Sequence, residues 1–260
     1  MQRRMFLSVL ATGLAAALVL PLRAMAAAWN QSAFDAIGLN DTLKSLAIGN
    51  LLSAKELQII APDKAENGAI IQIEATSLLP NTEAIYVLVD KNPTALLGKY
   101  AFKNGAQPFF ITRIKMAETS DVTIIAKVGD KFYATSKKVE VLENGCGGGG
   151  SANEKFETSM KLRAKLTGET TEVKAIIIHP MHTGRGKDDV GNLIPEHFIQ
   201  TAVVSLNEKP VLEMQLGTGI SKNPYLTFKI VGAKVGDKIS VTWADNQGKS
   251  GSGETLVIVA

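Results

Sequence analysis

Apolar and polar residues along this chain fall into short β-type runs separated by turn formers. In the first half such runs occupy 57–60, 69–74, 84–89, 95–100, 109–114, 121–126 and 135–141. Between them stand Pro62-Asp63, Glu66-Asn67-Gly68, Leu79-Pro80-Asn81, Lys91-Asn92-Pro93, Lys103-Asn104-Gly105 and Val128-Gly129-Asp130. In the second half the runs are 160–166, 171–179, 199–206, 209–216, 225–231, 238–244 and 254–259. Asn207-Glu208 reads as a turn, and Asp245-Asn246-Gln247-Gly248, which joins two alternating runs, reads as a hairpin turn. Regular short strands with no long helices between them predict an all-β protein of two immunoglobulin-like antiparallel β-sandwich domains. Ahead of the first strand, Phe34, Ile37, Leu39, Leu43, Leu46 and Ile48 follow a three-to-four spacing. That spacing predicts one or two short helices within 31–52.

One stretch fits neither pattern. Asn144-Gly145-Cys146-Gly147-Gly148-Gly149-Gly150-Ser151 carries the only cysteine of the chain. Glycine lacks a Cβ and resists regular structure, so the stretch divides the chain. The division gives domains over 29–142 and 156–260, with an arm over 143–155 in which Gly145, Gly147, Gly148, Gly149 and Gly150 supply flexibility. A Gly/Ser tract of roughly ten residues spans about 16–19 Å on average. The tract reads either as an interdomain linker or as an arm that presents a thiol to other proteins.

The N-terminus changes what the cysteine means. Arg3-Arg4-Met5-Phe6-Leu7, an apolar run to Leu22 and the small-residue exit Ala24-Met25-Ala26-Ala27-Ala28 form an export signal of the twin-arginine type over 1–28. The expected address is the periplasm, with no membrane association once the signal is cleaved. Exported proteins pair their cysteines, so a single one reads as a free reactive thiol or an intermolecular bridge.

Hydrophobic residues make up 45% of the chain and charged residues 20%, a globular composition. The formal charge of +3 comes from the signal, and the remainder carries 25 basic and 25 acidic residues. A balanced chain lacks the clustered cations of a phosphate-backbone binder, which excludes nucleic acid as partner.

No nucleophile elbow, zinc-protease helix, phosphate loop or dinucleotide fingerprint is present, and the carboxylates are scattered through turns. No catalytic residue is assigned, and no cofactor is expected. His179, His182 and His197 are the only candidates for a histidine metal site, but His179 closes an apolar strand before Pro180 and His197 precedes Phe198-Ile199. Both read as loop-anchoring or packing residues, so no metal site is assigned. Asp188-Asp189 lacks the spacing of a calcium loop, and Trp243 reads as core.

Several segments resemble a known family. Lys174–Gly184 (KAIIIHPMHTG), Leu193–Ile199 (LIPEHFI), Gly217–Leu226 (GTGISKNPYL) and Thr242–Gly248 (TWADNQG) are similar to the SoxZ subunit of the bacterial sulfur-oxidation carrier, a likeness covering nearly all of 158–260. The first half, from about 31, resembles the SoxY subunit more loosely. It ends like that subunit in a glycine-flanked cysteine, with Asn144 where the family has a further glycine. The resemblance implies a non-enzymatic carrier on which Cys146 is the covalent attachment point for thiosulfate-derived S-thiosulfonate and persulfide. It implies three partners: a haem enzyme that conjugates thiosulfate, a dimanganese hydrolase that releases sulfate and a molybdenum–haem sulfane dehydrogenase. It also implies that the two domains pair with each other.

The family arm is a free C-terminus, whereas here it runs on into the second domain, so partners would have to accept a hairpin. No Lys, Arg or His lies within four positions of Cys146. A free thiol of pKa about 8.5 is only a few per cent ionised at neutral pH, and activation is expected from the partner. Two other readings stand beside the carrier. One is a scaffold module for a periplasmic quinoprotein dehydrogenase with the cysteine incidental or bearing another cargo; the other is a dimer bridged through Cys146.

Overall fold

The structure is a computed structural model and describes residues 29–145 and 159–260. Residues 1–28, read from the sequence as an export signal, Cys146 and Gly147–Gly150 lie outside the described residues.

The chain begins with α1 (Gln31–Phe34) and α2 (Gly38–Ser45). Asn30 caps α1 by accepting from Ala33 N at 3.3 Å. The strands of the first half are β1 (Leu51–Ser53), β2 (Leu57–Ile60), β3 (Lys64–Asn67), β4 (Ile71–Ser77), β5 (Ala84–Val89), β6 (Leu96–Phe102), β7 (Ala106–Ile114), β8 (Ser120–Val128) and β9 (Lys131–Glu143). The second half supplies β10 (Met160–Thr167), β11 (Thr170–Ile177), β12 (Ile199–Leu206), β13 (Lys209–Leu216), β14 (Tyr225–Val231), β15 (Lys238–Asp245) and β16 (Ser250–Val259). The architecture is all-β and mostly antiparallel, with helix confined to the N-terminal segment.

Local chemistry accounts for most of these elements. Asn207 and Glu208 both take positive φ, 46° and 70°, the geometry of a two-residue hairpin turn that matches strand twist, and so join β12 to β13. In β4 alternate residues are buried, as expected of a strand with one covered face. Every residue of β5 is buried. Its second face is covered by the helical segment: Phe34 and Ile48 pack with Tyr86, Leu88, Leu96 and Ile125 in a satellite cluster.

The two halves are not beads on a string. Strands β6 and β13 pair from Leu212↔Phe102 to Leu216↔Gly98. On the opposite sheet β7 and β14 pair, with Phe228 directly facing Phe110. Both sheets therefore cross the seam. One runs β1-β9-β8-β5-β6-β13-β12-β15-β16 and the other β10-β11-β14-β7-β4-β2, with β16 also pairing in parallel to β10. Their inner faces share one core containing Ile85, Val87, Phe110 and Ile114 from the first half and Val204, Leu212, Phe228 and Val241 from the second. Tyr100 stacks on Phe110 at 3.9 Å within it. Pairing at both sheets removes four strand edges that would otherwise offer unpaired backbone groups. Intramolecular pairing of the halves is thus built into the sheets, with Trp29 Nε1 adding a bond to Leu216 O at 2.9 Å.

Candidate functional site

The residues that carry the glycine stretch are fixed by backbone. Glu143, which the sequence places at the start of the arm, is the last residue of β9, paired with Asn67 of β3. Gly68 N donates to Glu143 O at 2.9 Å, Met116 N donates to Gly68 O at 2.8 Å, and Gly145 N donates to Met116 O at 2.9 Å. Gly145 and Gly68 are both buried. Gly145, read from sequence as part of the flexible arm, is thus hydrogen-bonded at the arm's root. Cys146 and Gly147–Gly150 follow directly but lie outside the described residues. Where description resumes, Ser159 O accepts from Ile178 N at 2.9 Å.

Lys115 braces the segment that accepts the Gly145 amide against the second half. Its side chain is buried, at 7% exposure. Lys115 Nζ donates to Met181 O and to Thr218 O, the latter at 3.1 Å, both across the seam. Its backbone N donates to Gly219 O at 2.7 Å. Asn92 holds the same segment from the other side, donating to Lys115 O at 2.8 Å and accepting from Ala117 N at 2.9 Å. Ser221 Oγ donates to Ala69 O at 2.8 Å and ties the second half to the loop around Gly68. Segments 67–69, 115–117, 143–145 and 218–221 therefore meet at one end of the double sandwich. Sequence reasoning missed Lys115, because nothing near it in the chain distinguishes it from a surface lysine.

A second cluster lies in the second half. His179, His197 and Asp245 are buried, and their ligand-capable atoms lie within 4.8 Å of one another. Asp245 Oδ1 accepts from Gln247 N at 2.9 Å and Lys249 N at 2.7 Å. Asp245 Oδ2 lies 2.7 Å from His197 Nε2 and 3.4 Å from His179 Nε2. His179 Nδ1 accepts the Met181 N–H at 3.1 Å, which leaves the imidazole proton on Nε2. With that tautomer His179 Nε2–H donates to the Asp245 carboxylate. The group pins three loops to one carboxylate. Asp245 escaped sequence reasoning because it sits in a hairpin turn, where Asp is common for local reasons. Trp243, buried at 4% exposure, closes the cluster with its ring edge-on to His179 at 5.4 Å. Asp188 bonds only within its own loop among the described contacts, to Val190 N, Asn192 N and Asn192 Nδ2.

Burial pulls the His179 imidazole from its ordinary 6.5 down to about 4, against the opposing effect of Asp245 and with some help from His197. In this range the unfolded chain binds a proton that the folded chain refuses. The stabilisation is therefore complete above pH 6.5 and is lost as pH falls toward 4. The full loss amounts to about 3 kcal/mol. Urea titrations at pH 7 and pH 4.5 should show a larger drop in stability for the parent chain than for His179→Gln.

Comparisons with known proteins bear on the two halves separately. Residues 44–146 match the family described as sulfur oxidation protein SoxY, and residues 160–255 the family described as sulphur oxidation protein SoxZ. No curated protein matches the chain. Among solved structures, the sulfur carrier protein SoxY from Chlorobium limicola f thiosulfatophilum is 24% identical, covering 44% of this chain and 99% of its own, with a TM-score of 0.38. A β-glycosidase from Bacteroides vulgatus is 9% identical, covering 84% of this chain and 26% of that one, with a TM-score of 0.26. With one family matched on each side of the glycine stretch, the chain belongs to the SoxYZ sulfur-oxidation proteins as a fusion of SoxY and SoxZ.

Proposed function

We propose that this chain is a periplasmic covalent carrier of sulfur intermediates, with Cys146 as the attachment point. The observation that carries the reading is where the SoxY match ends: it runs to residue 146, the only cysteine of the chain. The twin-arginine-type signal over 1–28 supports the address.

The chemistry needs only a thiol from this protein. In loading, the Cys146 sulfur bonds to the sulfane sulfur of thiosulfate; the thiol proton is released and two electrons pass to a haem enzyme. In the next step water attacks the terminal sulfonate sulfur. The sulfur–sulfur bond to that sulfonate breaks, sulfate and two protons leave, and a persulfide anion stays on Cys146. A dimanganese hydrolase supplies that step, and a molybdenum–haem dehydrogenase oxidises the remaining sulfane. The persulfide is a reversible thiol cap. The protein contributes presentation: it holds the two halves together and fixes the point from which the cysteine-bearing segment leaves.

Cys146→Ser should reduce thiosulfate-dependent electron transfer to background in a mixture of this protein with its oxidising enzymes, because a hydroxyl forms no sulfur–sulfur bond. The substitution should leave the fold unchanged by circular dichroism. Undiminished electron transfer would favour the scaffold reading, with the cysteine incidental.

A further inference from the structure

Cys146 follows directly on Gly145, and Gly145 and Gly68 pack backbone to backbone. A Cβ on Gly68 would overlap Met116 O and lie 2.8 Å from both Glu143 O and Gly145 N. A Cβ on Gly145 would overlap the backbone carbonyl of Gly68. These neighbours are main-chain atoms, so no rotamer change relieves either clash. Neither residue has the positive φ that explains many glycines; what both positions require is close approach.

We propose that Gly68 is a positioning residue for the carrier chemistry: with Met116 O it forms a seat for Gly145 and so fixes the exit point of the cysteine-bearing segment. The inference rests on Cys146 being the carrier residue. Three bonds define the seat, from Gly68 N to Glu143 O, from Met116 N to Gly68 O and from Gly145 N to Met116 O. The seat is braced on the second half through Lys115 and Ser221. Consecutive Cα atoms lie about 3.8 Å apart, so while Gly145 is seated the next Cα stays that close to it.

The test uses the full chain with a nitroxide on Cys146 as reporter. The parent should give a restricted spectral component, Gly68→Ala should convert most of it to a mobile one, and Gly49→Ala, whose Cβ meets only open space, should change nothing. Equal mobility in parent and Gly68→Ala would overturn the seat while leaving the thiol chemistry of Cys146 untouched. Should Gly68→Ala fail to fold, hydrogen exchange on the unmodified parent decides. The Gly145 amide should be protected at least about 100-fold over an open chain, and an unprotected amide would overturn the proposal.

Discussion

Asp245→Ala is expected to destabilise this protein by about 4 kcal/mol or more, because it removes the one carboxylate on which three loops converge. Asp245 is 5% exposed and accepts from Gln247 N, Lys249 N, His197 Nε2 and His179 Nε2. Alanine fills none of those roles, and each buried donor left unsatisfied costs about 1–3 kcal/mol. The cost is shared among the loops, so the parts are not additive. In a chain of this size each kcal/mol moves the melting temperature by about 2–4 °C, which puts the expected drop on the order of 10 °C. Thermal unfolding measures it. Adding His179→Ala to Asp245→Ala should cost much less than His179→Ala alone, since the bond it removes is already gone. Additive effects would show that the triad is not one unit.

Lys115→Met is expected to cost about 2–4 kcal/mol and to act on the seam. Methionine matches the length of the lysine stem but donates nothing, which takes the Nζ donor from Met181 O and Thr218 O, two carbonyls that belong to the other half. A protease site placed within 146–158 gives a direct readout. After cleavage the parent halves should remain one species in size-exclusion chromatography, because β6–β13 and β7–β14 pair across the seam independently of the linker. Cleaved Lys115→Met should separate at a lower denaturant concentration. Equal separation of both would show that Lys115 does not hold the seam.

The strands were legible where side-chain alternation and turn chemistry agreed. Segments 57–60, 199–206 and 209–216 coincide with β2, β12 and β13. Strand β3 escaped because Lys64-Ala65-Glu66-Asn67 has a polar edge character, with only Ala65 buried; its pairing to β9 is a backbone matter. The start of β16 escaped for the opposite reason. Ser250-Gly251-Ser252-Gly253 has low strand propensity, yet a Cβ on Gly251 would lie 2.8 Å from the Trp243 ring, so the small residue is there for packing. The seam was expected only as a pairing of domains. Its register follows from partners over 100 residues apart in sequence, such as Leu212 and Phe102, which no local pattern encodes.

The candidate site divides the same way. A lone cysteine between glycines is conspicuous in one dimension. Its root is not, because Glu66-Asn67-Gly68 reads as a turn and Met116 takes part only through its backbone. Asp245 reads as a turn residue and is also the acceptor for two imidazoles. Bonds made by backbone, and side chains whose partners lie far along the chain, leave no periodic signal.

Whether Cys146 carries sulfur covalently is decided on protein isolated from thiosulfate-fed cells, trapped without reductant and measured by intact mass and peptide mapping. A carrier shows a fraction of Cys146 bearing a thiosulfate group or added sulfur atoms, and these adducts vanish on reduction. An unmodified Cys146 throughout, with active conjugating and hydrolysing enzymes in the same cells, would rule the carrier out.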